Sequence, residues 1–215
     1  MLIGIDVGTG SARAGVFDAK GKLLGVGKHP VTMWQEPGEI VEQSSDQIWQ
    51  AVCTAVREAL QTSQIDPAAV TGIGFDATCS LVAVGDRGQG IPVGPSGDPG
   101  RNVIVWMDHR AQAEAEEINA GGHAVLAYVG GRISPEMETP KLLWLSRHLP
   151  DSFARAAHFF DLSDYLTWRA TGRLARSSCT VTCKWTYLAH ENRWDDDYFR
   201  AIGLGTLADE GFHRI

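Results

Sequence analysis

Cysteine is scarce and scattered. Cys53, Cys79, Cys179 and Cys183 are the only four in 215 residues, too few for a disulfide scaffold, and no C-x-x-C pair points to a zinc ribbon or a redox motif. Basic charge is short as well: 19 Lys and Arg face 26 Asp and Glu, a formal charge of −7, and no Lys/Arg run forms a patch. A general binder of nucleic acid or of an anionic membrane needs such a face, so neither partner is expected. Apolar runs such as Val103–Met107 fall far short of the ~20 residues that cross a bilayer. Gly4 and Asp6 interrupt the apolar start and no basic stretch precedes it, so no secretory leader is expected and the chain reads as cytoplasmic. Seven histidines show no H-x-x-x-H spacing, and none is assigned a metal.

What is present suffices for a core: 44% of residues are hydrophobic and 21% charged. No repeat, low-complexity tract or linker divides the chain. Leu2–Asp6, Ala12–Phe17 and Lys22–Val26 are separated by glycine-containing turns and predict an antiparallel strand meander. Lys28–Gln43, with Pro30, Pro37 and Gly38, predicts a loop. Ser44 with Gln47 fits a capping box. Ile48, Trp49, Val52, Cys53, Val56 and Leu60 then mark one face of a helix ending near Gln64. Val70–Phe75, Leu81–Val84, Ile91–Val93 and Val103–Trp106 predict further strands. Helices are expected over His109–Gly121 and from Pro140, with Thr139 as N-cap. A short strand at His158–Phe160 precedes a helix over Leu162–Thr171, and a last helix covers Asp195–Ile202. A meander followed by strand–helix alternation is an α/β pattern.

Three predicted strands end on a carboxylate: Asp6, Asp76 and Asp108. In α/β sheets ligands gather at the carboxyl edge, although an Asp there can equally cap the next turn. Asp6 is followed by Gly8-Thr9-Gly10-Ser11, where glycines let a polyphosphate approach the backbone, hydroxyls can donate to it, and the carboxylate can hold Mg²⁺. Arg13 is either a phosphate partner or an exposed strand residue. No Gly-Lys-Ser/Thr follows, so the turn is not a Walker A loop.

Six segments in order carry a resemblance. Ile3–Arg13 is similar to the first phosphate motif of the FGGY family of carbohydrate kinases, and Gly72–Ser80 to its second sugar-proximal strand. Val105–Ala111, Ser134–Trp144, Asp161–Leu166 with Thr171-Gly172, and Ser177–Trp185 resemble successive motifs of the same family, Gly72–Ser80 and Ser177–Trp185 in the form of its ribulokinase-like members. The resemblance implies an actin-like ATPase (ribonuclease H-like) domain: a mixed β-sheet with an antiparallel meander, flanked by helices. It implies ATP and Mg²⁺ as cofactors and a sugar or polyol as substrate, with a pentulose such as D-ribulose foremost. Asp6 would bind the metal, and Gly8, Thr9, Gly10, Ser11 and Arg13 would join it on the phosphate side. Asp76, Cys79, Ser80, Trp106, Asp108, Arg110, Glu136 and Lys141 would face the sugar. Structural roles compete for Cys79 as a core residue, Glu136 as a loop carboxylate and Lys141 as an exposed helix residue. The other tryptophans are expected in the core.

By the same resemblance residues 1–215 form the N-terminal domain. The ATP-binding C-terminal domain and the catalytic base are expected beyond them, so no catalytic residue is named and the chain alone is expected to be inactive. A homodimer is left open. Two other readings stand beside the kinase: a ribonuclease H-like metal nuclease using Asp6, Asp76 and Asp108, and a non-catalytic sugar-binding domain.

Overall fold

The structure is a computed structural model that describes all 215 residues. The expected meander is β1 (Leu2–Gly8), β2 (Ser11–Phe17) and β3 (Leu23–Pro30), antiparallel in sequence, with Asp6 opposite Arg13 and Gly8 opposite Ser11. The expected loop at Lys28–Gln43 is mostly extended instead. After β3, β4 (Trp34–Glu36) and β5 (Ile40–Gln43) form a hairpin. Its turn contains Gly38 at φ 86° and Glu39 at φ 61°, so the Pro37-Gly38 pair marks a reversal between strands rather than a loop.

Helix α1 (Ser45–Ser63) begins as predicted, with the Ser44 hydroxyl accepting the Gln47 N–H at 3.3 Å, and stops at left-handed Gln64. Its buried face is Ile48, Ala51, Val52, Ala55 and Ala59, rotated toward the alanines from the expected apolar face. Trp49, Val56 and Leu60 pack at the margin and Cys53 is half-buried. The cause lies in β3. A Cβ on Gly25 would stand 2.6 Å from the Ala59 carbonyl oxygen, and one on Gly27 would collide with the Ala55 carbonyl. Glycine against alanine brings helix and strand backbones together, and larger side chains on that face would hold them apart.

β6 (Gly72–Ala77) lies parallel to β1 and completes a sheet of order β3-β2-β1-β6. β7 (Leu81–Val84), β8 (Val103–Ile104) and β9 (His158–Asp161) join the β4–β5 hairpin in a second, antiparallel sheet of order β4-β5-β8-β7-β9. The expected strand at Ile91–Val93 only touches β7, through the Ile91 N–H to the Ala83 carbonyl. Alternation along β7 sends Val82 and Val84 into one core with α1 and Leu81 and Ala83 into another, so this sheet is buried on both faces.

The helices after β8 are α2 (Gln112–Ala120), α3 (Glu138–His148), α4 (Pro150–Arg155), α5 (Leu162–Thr171), α6 (Ser178–Trp185), α7 (Asp196–Ala201) and α8 (Gly205–Asp209). α2 starts three residues later than expected. α3 starts at Glu138, so Pro140 sits within its first turn, where a missing N–H loses no helical bond. No helix is long and apolar enough to cross a membrane.

Gly27→Ala should destabilise the fold by at least about 3 kcal/mol in urea unfolding, because backbone atoms must move to admit the methyl group. Gly74→Ala, which adds a methyl into open space, should change stability by less than about 1 kcal/mol.

Candidate functional site

Asp6 and Asp76 are direct neighbours on parallel strands, and both are exposed on the face of the first sheet that α1 leaves uncovered. Arg13 reaches from β2 to Asp6 on β1 at 2.6 Å, each side chain about half exposed, so it is an ion-pair partner of the carboxylate. At such exposure the pair contributes no more than about 1 kcal/mol and is readily exchanged for another cation. The three groups line a cavity of 530 Å³ with Phe17 and Phe75. The turn between β1 and β2 lies at the end of this row, and a Cβ on Gly10 would meet nothing within 4 Å. Adjacent hard carboxylates beside an open glycine turn fit Mg²⁺, which takes few carboxylates together with phosphate oxygens and water. The structure thus places Asp76, expected from sequence among the sugar contacts, beside Asp6 in the same exposed row.

Trp106 joins this turn to the second sheet. Its indole N–H donates to the Thr9 hydroxyl at 3.0 Å and its backbone N–H to the Ser80 hydroxyl at 3.1 Å. Gln43 adds a bond from its amide to the Thr9 carbonyl at 2.7 Å. Ser80 is wholly buried and its oxygen is engaged, so its place is under Trp106 rather than against a ligand. Cys79 beside it is half-buried, with burial first and the Asp161 charge second pushing its thiol up to about 11. It is a neutral, small neighbour of the site. Glu136 is partly exposed and its carboxylate meets His109 Nε2 at 3.0 Å.

Asp108, Arg110 and Lys141 correct the expectation of a sugar-facing row. Asp108 has no exposed surface; its carboxylate accepts the Val41 N–H at 2.5 Å and the Arg110 guanidinium at 2.7–3.0 Å. Arg110 continues to the Val93 carbonyl at 2.6 Å and to Glu42 at 3.1 Å. Lys141 is fully buried and donates to the Val105 carbonyl at 3.1 Å, one residue before Trp106. These charges hold the strand end from beneath. The three strand-end aspartates thus do not converge, and no group of three or more His, Cys, Asp or Glu side chains is gathered as a metal site. The two-metal nuclease reading loses its carboxylate cluster.

Two residues were not singled out from sequence. Glu138, the first residue of α3, is entirely buried with both carboxylate oxygens unpartnered, and Lys141 Nζ stands 3.9 Å away. Burial, opposed by Lys141 and reinforced by Asp161, pushes its pKa up to about 8. Asp161, at the end of β9, caps α5 with one oxygen on the Ser163 N–H, while the other is buried and unpartnered; burial raises it to about 6. In sequence both look like ordinary carboxylates at helix starts. Only the packing of α3 and β9 reveals their burial.

Above pH 6 the unfolded chain has released the Glu138 proton that the folded protein keeps up to about pH 8. The raised folded pKa means that stability from this group falls as pH climbs through that window, by up to about 1.4 kcal/mol per unit. The difference in unfolding free energy between wild type and Glu138→Gln, measured by urea titration from pH 6 to 8, should therefore turn steadily against wild type. A pH-independent difference would contradict the assignment.

The family model described as the FGGY family of carbohydrate kinases, N-terminal domain, matches residues 1–207. An FGGY carbohydrate kinase domain-containing protein of Danio rerio is 47% identical over 99% of this chain, which spans 39% of that relative. A human protein of the same description is 46% identical over 99% of the chain and 38% of its own length. A D-ribulokinase of Saccharomyces cerevisiae is 44% identical over 99% of the chain and 31% of its own length. The chain thus spans less than half of each of these relatives. Among solved structures, xylulose kinase from Rhodospirillum rubrum aligns with a TM-score of 0.78 at 24% identity, covering 93% of this chain and 40% of that one. Xylulose kinase from Lactobacillus acidophilus gives 0.77 at 22% identity, over 94% and 39%. The mixed α/β architecture is the actin-like ATPase fold of these sugar kinases. Its motifs, its fold and the family match over nearly its whole length agree: the chain belongs to the FGGY family of carbohydrate kinases.

Proposed function

We propose that this chain is the sugar-holding domain of an ATP-dependent kinase that phosphorylates a hydroxyl of a pentulose, D-ribulose foremost. The observation that carries the reading is the Thr9–Trp106 bond, which ties the glycine turn of the phosphate side to the end of the strand leading to Asp108. The 44% identity with a D-ribulokinase across almost the whole chain supports the pentulose in particular. In this reading the nucleotide supplies the phosphoryl group and Mg²⁺ neutralises its charge. Asp6, with Asp76 beside it, orients the metal, and the Thr9–Ser11 turn offers backbone and hydroxyl donors to phosphate oxygens. Arg13 exchanges its bond to Asp6 for one to the anion. Trp106, Cys79 and Glu136 border the sugar, Trp106 offering an apolar face and Glu136 a hydrogen-bond acceptor. Phosphoryl transfer is mostly positioning and charge neutralisation, which this arrangement of rigid strand ends provides.

The adenosine pocket and the carboxylate that accepts the hydroxyl proton are assigned to the part of the longer relatives that this chain does not span. Asp108 cannot serve as that base, because its oxygens are held by Arg110 and the Val41 N–H. The protein acts in the cytoplasm on a free sugar.

The 215-residue chain should bind D-ribulose in calorimetry yet release no ADP in its presence. In the complete kinase Asp6→Asn should lower turnover on the order of 10²-fold while sugar affinity stays within about twofold. Unchanged turnover would remove Asp6 from the metal site, and sugar-stimulated ADP release by the isolated chain would overturn the division of labour.

A further inference from the structure

α6 carries a pair of cysteines outside the site described above. Cys179 and Cys183 stand four residues apart on this eight-residue helix and both are exposed. Side chains at i and i+4 are neighbours on a helix surface, with Cβ atoms about 5–6 Å apart. The inward face of α6 is taken by Val181 and Trp185, both buried. Cys179 lies about 200° around the helix from Val181, so the two thiols share the opposite, solvent-facing side.

The start of the helix is fixed. The Ser177 hydroxyl accepts the Cys179 N–H at 3.2 Å, and Asp164 takes the Ser177 N–H at 3.0 Å and the Thr180 hydroxyl at 2.7 Å. The thiols are thus presented on an anchored helix. The other two cysteines differ: Cys53 lies half-buried on α1, and Cys79 is half-buried beside Asp161.

We propose that Cys179 and Cys183 form a two-thiolate site for a soft, thiophilic divalent cation. Two sulfurs bound tetrahedrally at about 2.3 Å lie about 3.8 Å apart, a separation that thiols on adjacent helical turns reach by rotamer choice alone. Binding replaces two S–H bonds with two sulfur–metal bonds and releases two protons to solvent, with water completing the coordination. No oxidant is required. C-x-x-x-C is a spacing that sequence rules for zinc ribbons pass over, and only the helix turns it into one face.

The test is titration of the reduced chain with Cd²⁺, followed by the ultraviolet thiolate-to-cadmium charge-transfer band. Wild type should saturate at one equivalent. Cys179→Ser and Cys183→Ser should each lose the band, and Cys53→Ser and Cys79→Ser should keep it. In wild type, one equivalent of Cd²⁺ should also slow alkylation of Cys179 and Cys183 at least about tenfold, read by mass spectrometry, and leave Cys53 unprotected. A wild type without the band at one equivalent, or a Cys183→Ser variant that retains it, would overturn the proposal. So would alkylation of both cysteines that Cd²⁺ does not slow.

Discussion

A buried ion pair between Asp108 and Arg110 ties together the segments that make the site. Asp108 takes the β5 backbone through the Val41 N–H, and Arg110 takes the Val93 carbonyl, the Glu42 carboxylate and the face of Trp144 on α3, with its guanidinium carbon 5.0 Å from the ring centre. A charge removed from water is costly unless it is paired and its remaining donors are used. Here three guanidinium nitrogens are engaged, and the two Asp108 oxygens receive two backbone N–H groups besides. Glu42 completes the group at the cost of a raised pKa, which burial causes and Arg110 partly offsets. Directional bonds of this kind set the relative positions of β5, β8 and α3 more narrowly than apolar packing alone would.

Trp106 sits two residues before this pair, and its setting follows from it. The Val105 carbonyl is held by Lys141 from α3, the Trp106 N–H by Ser80 at the start of β7, and its indole reaches the β1–β2 turn. The two sheets share the hydrophobic core under α1, and this line of polar contacts adds a directional tie between the β1–β2 turn and the strand end at Trp106. Its buried members hold position, and Thr9 and Trp106, with Cys79 and Glu136 nearby, stay partly exposed. The same division explains why Lys141 and Glu138 are buried charges on a helix whose neighbouring residue Glu136 remains accessible.

The meander, α1, α5 and the first turn were legible because their signals are local: glycine turns, an N-cap serine, alternation of apolar residues. The β4–β5 hairpin was not, since Pro37-Gly38 reads the same in a loop and in a tight reversal. The face of α1 was misplaced because its alanines matter only opposite the glycines of β3, a non-local relation. In the candidate site, the exposed strand-end position of Asp6 and the turn after it were legible from spacing alone. Asp108 carried the same sequence signal as Asp76, and the difference between an exposed carboxylate and a buried one arises from which sheet each strand enters. Glu138 and Asp161 carried the signal of helix caps, and Asp161 is one; their burial depends on contacts between elements far apart in the chain.

The claim that the Asp108–Arg110 pair organises the site is tested most directly by equilibrium urea unfolding of Asp108→Ala beside wild type. Removing one partner leaves a buried guanidinium short of its main acceptor, and the account predicts a loss of about 3–5 kcal/mol in unfolding free energy. A variant within about 0.5 kcal/mol of wild type would contradict it, because Arg110 would then have been held without the carboxylate.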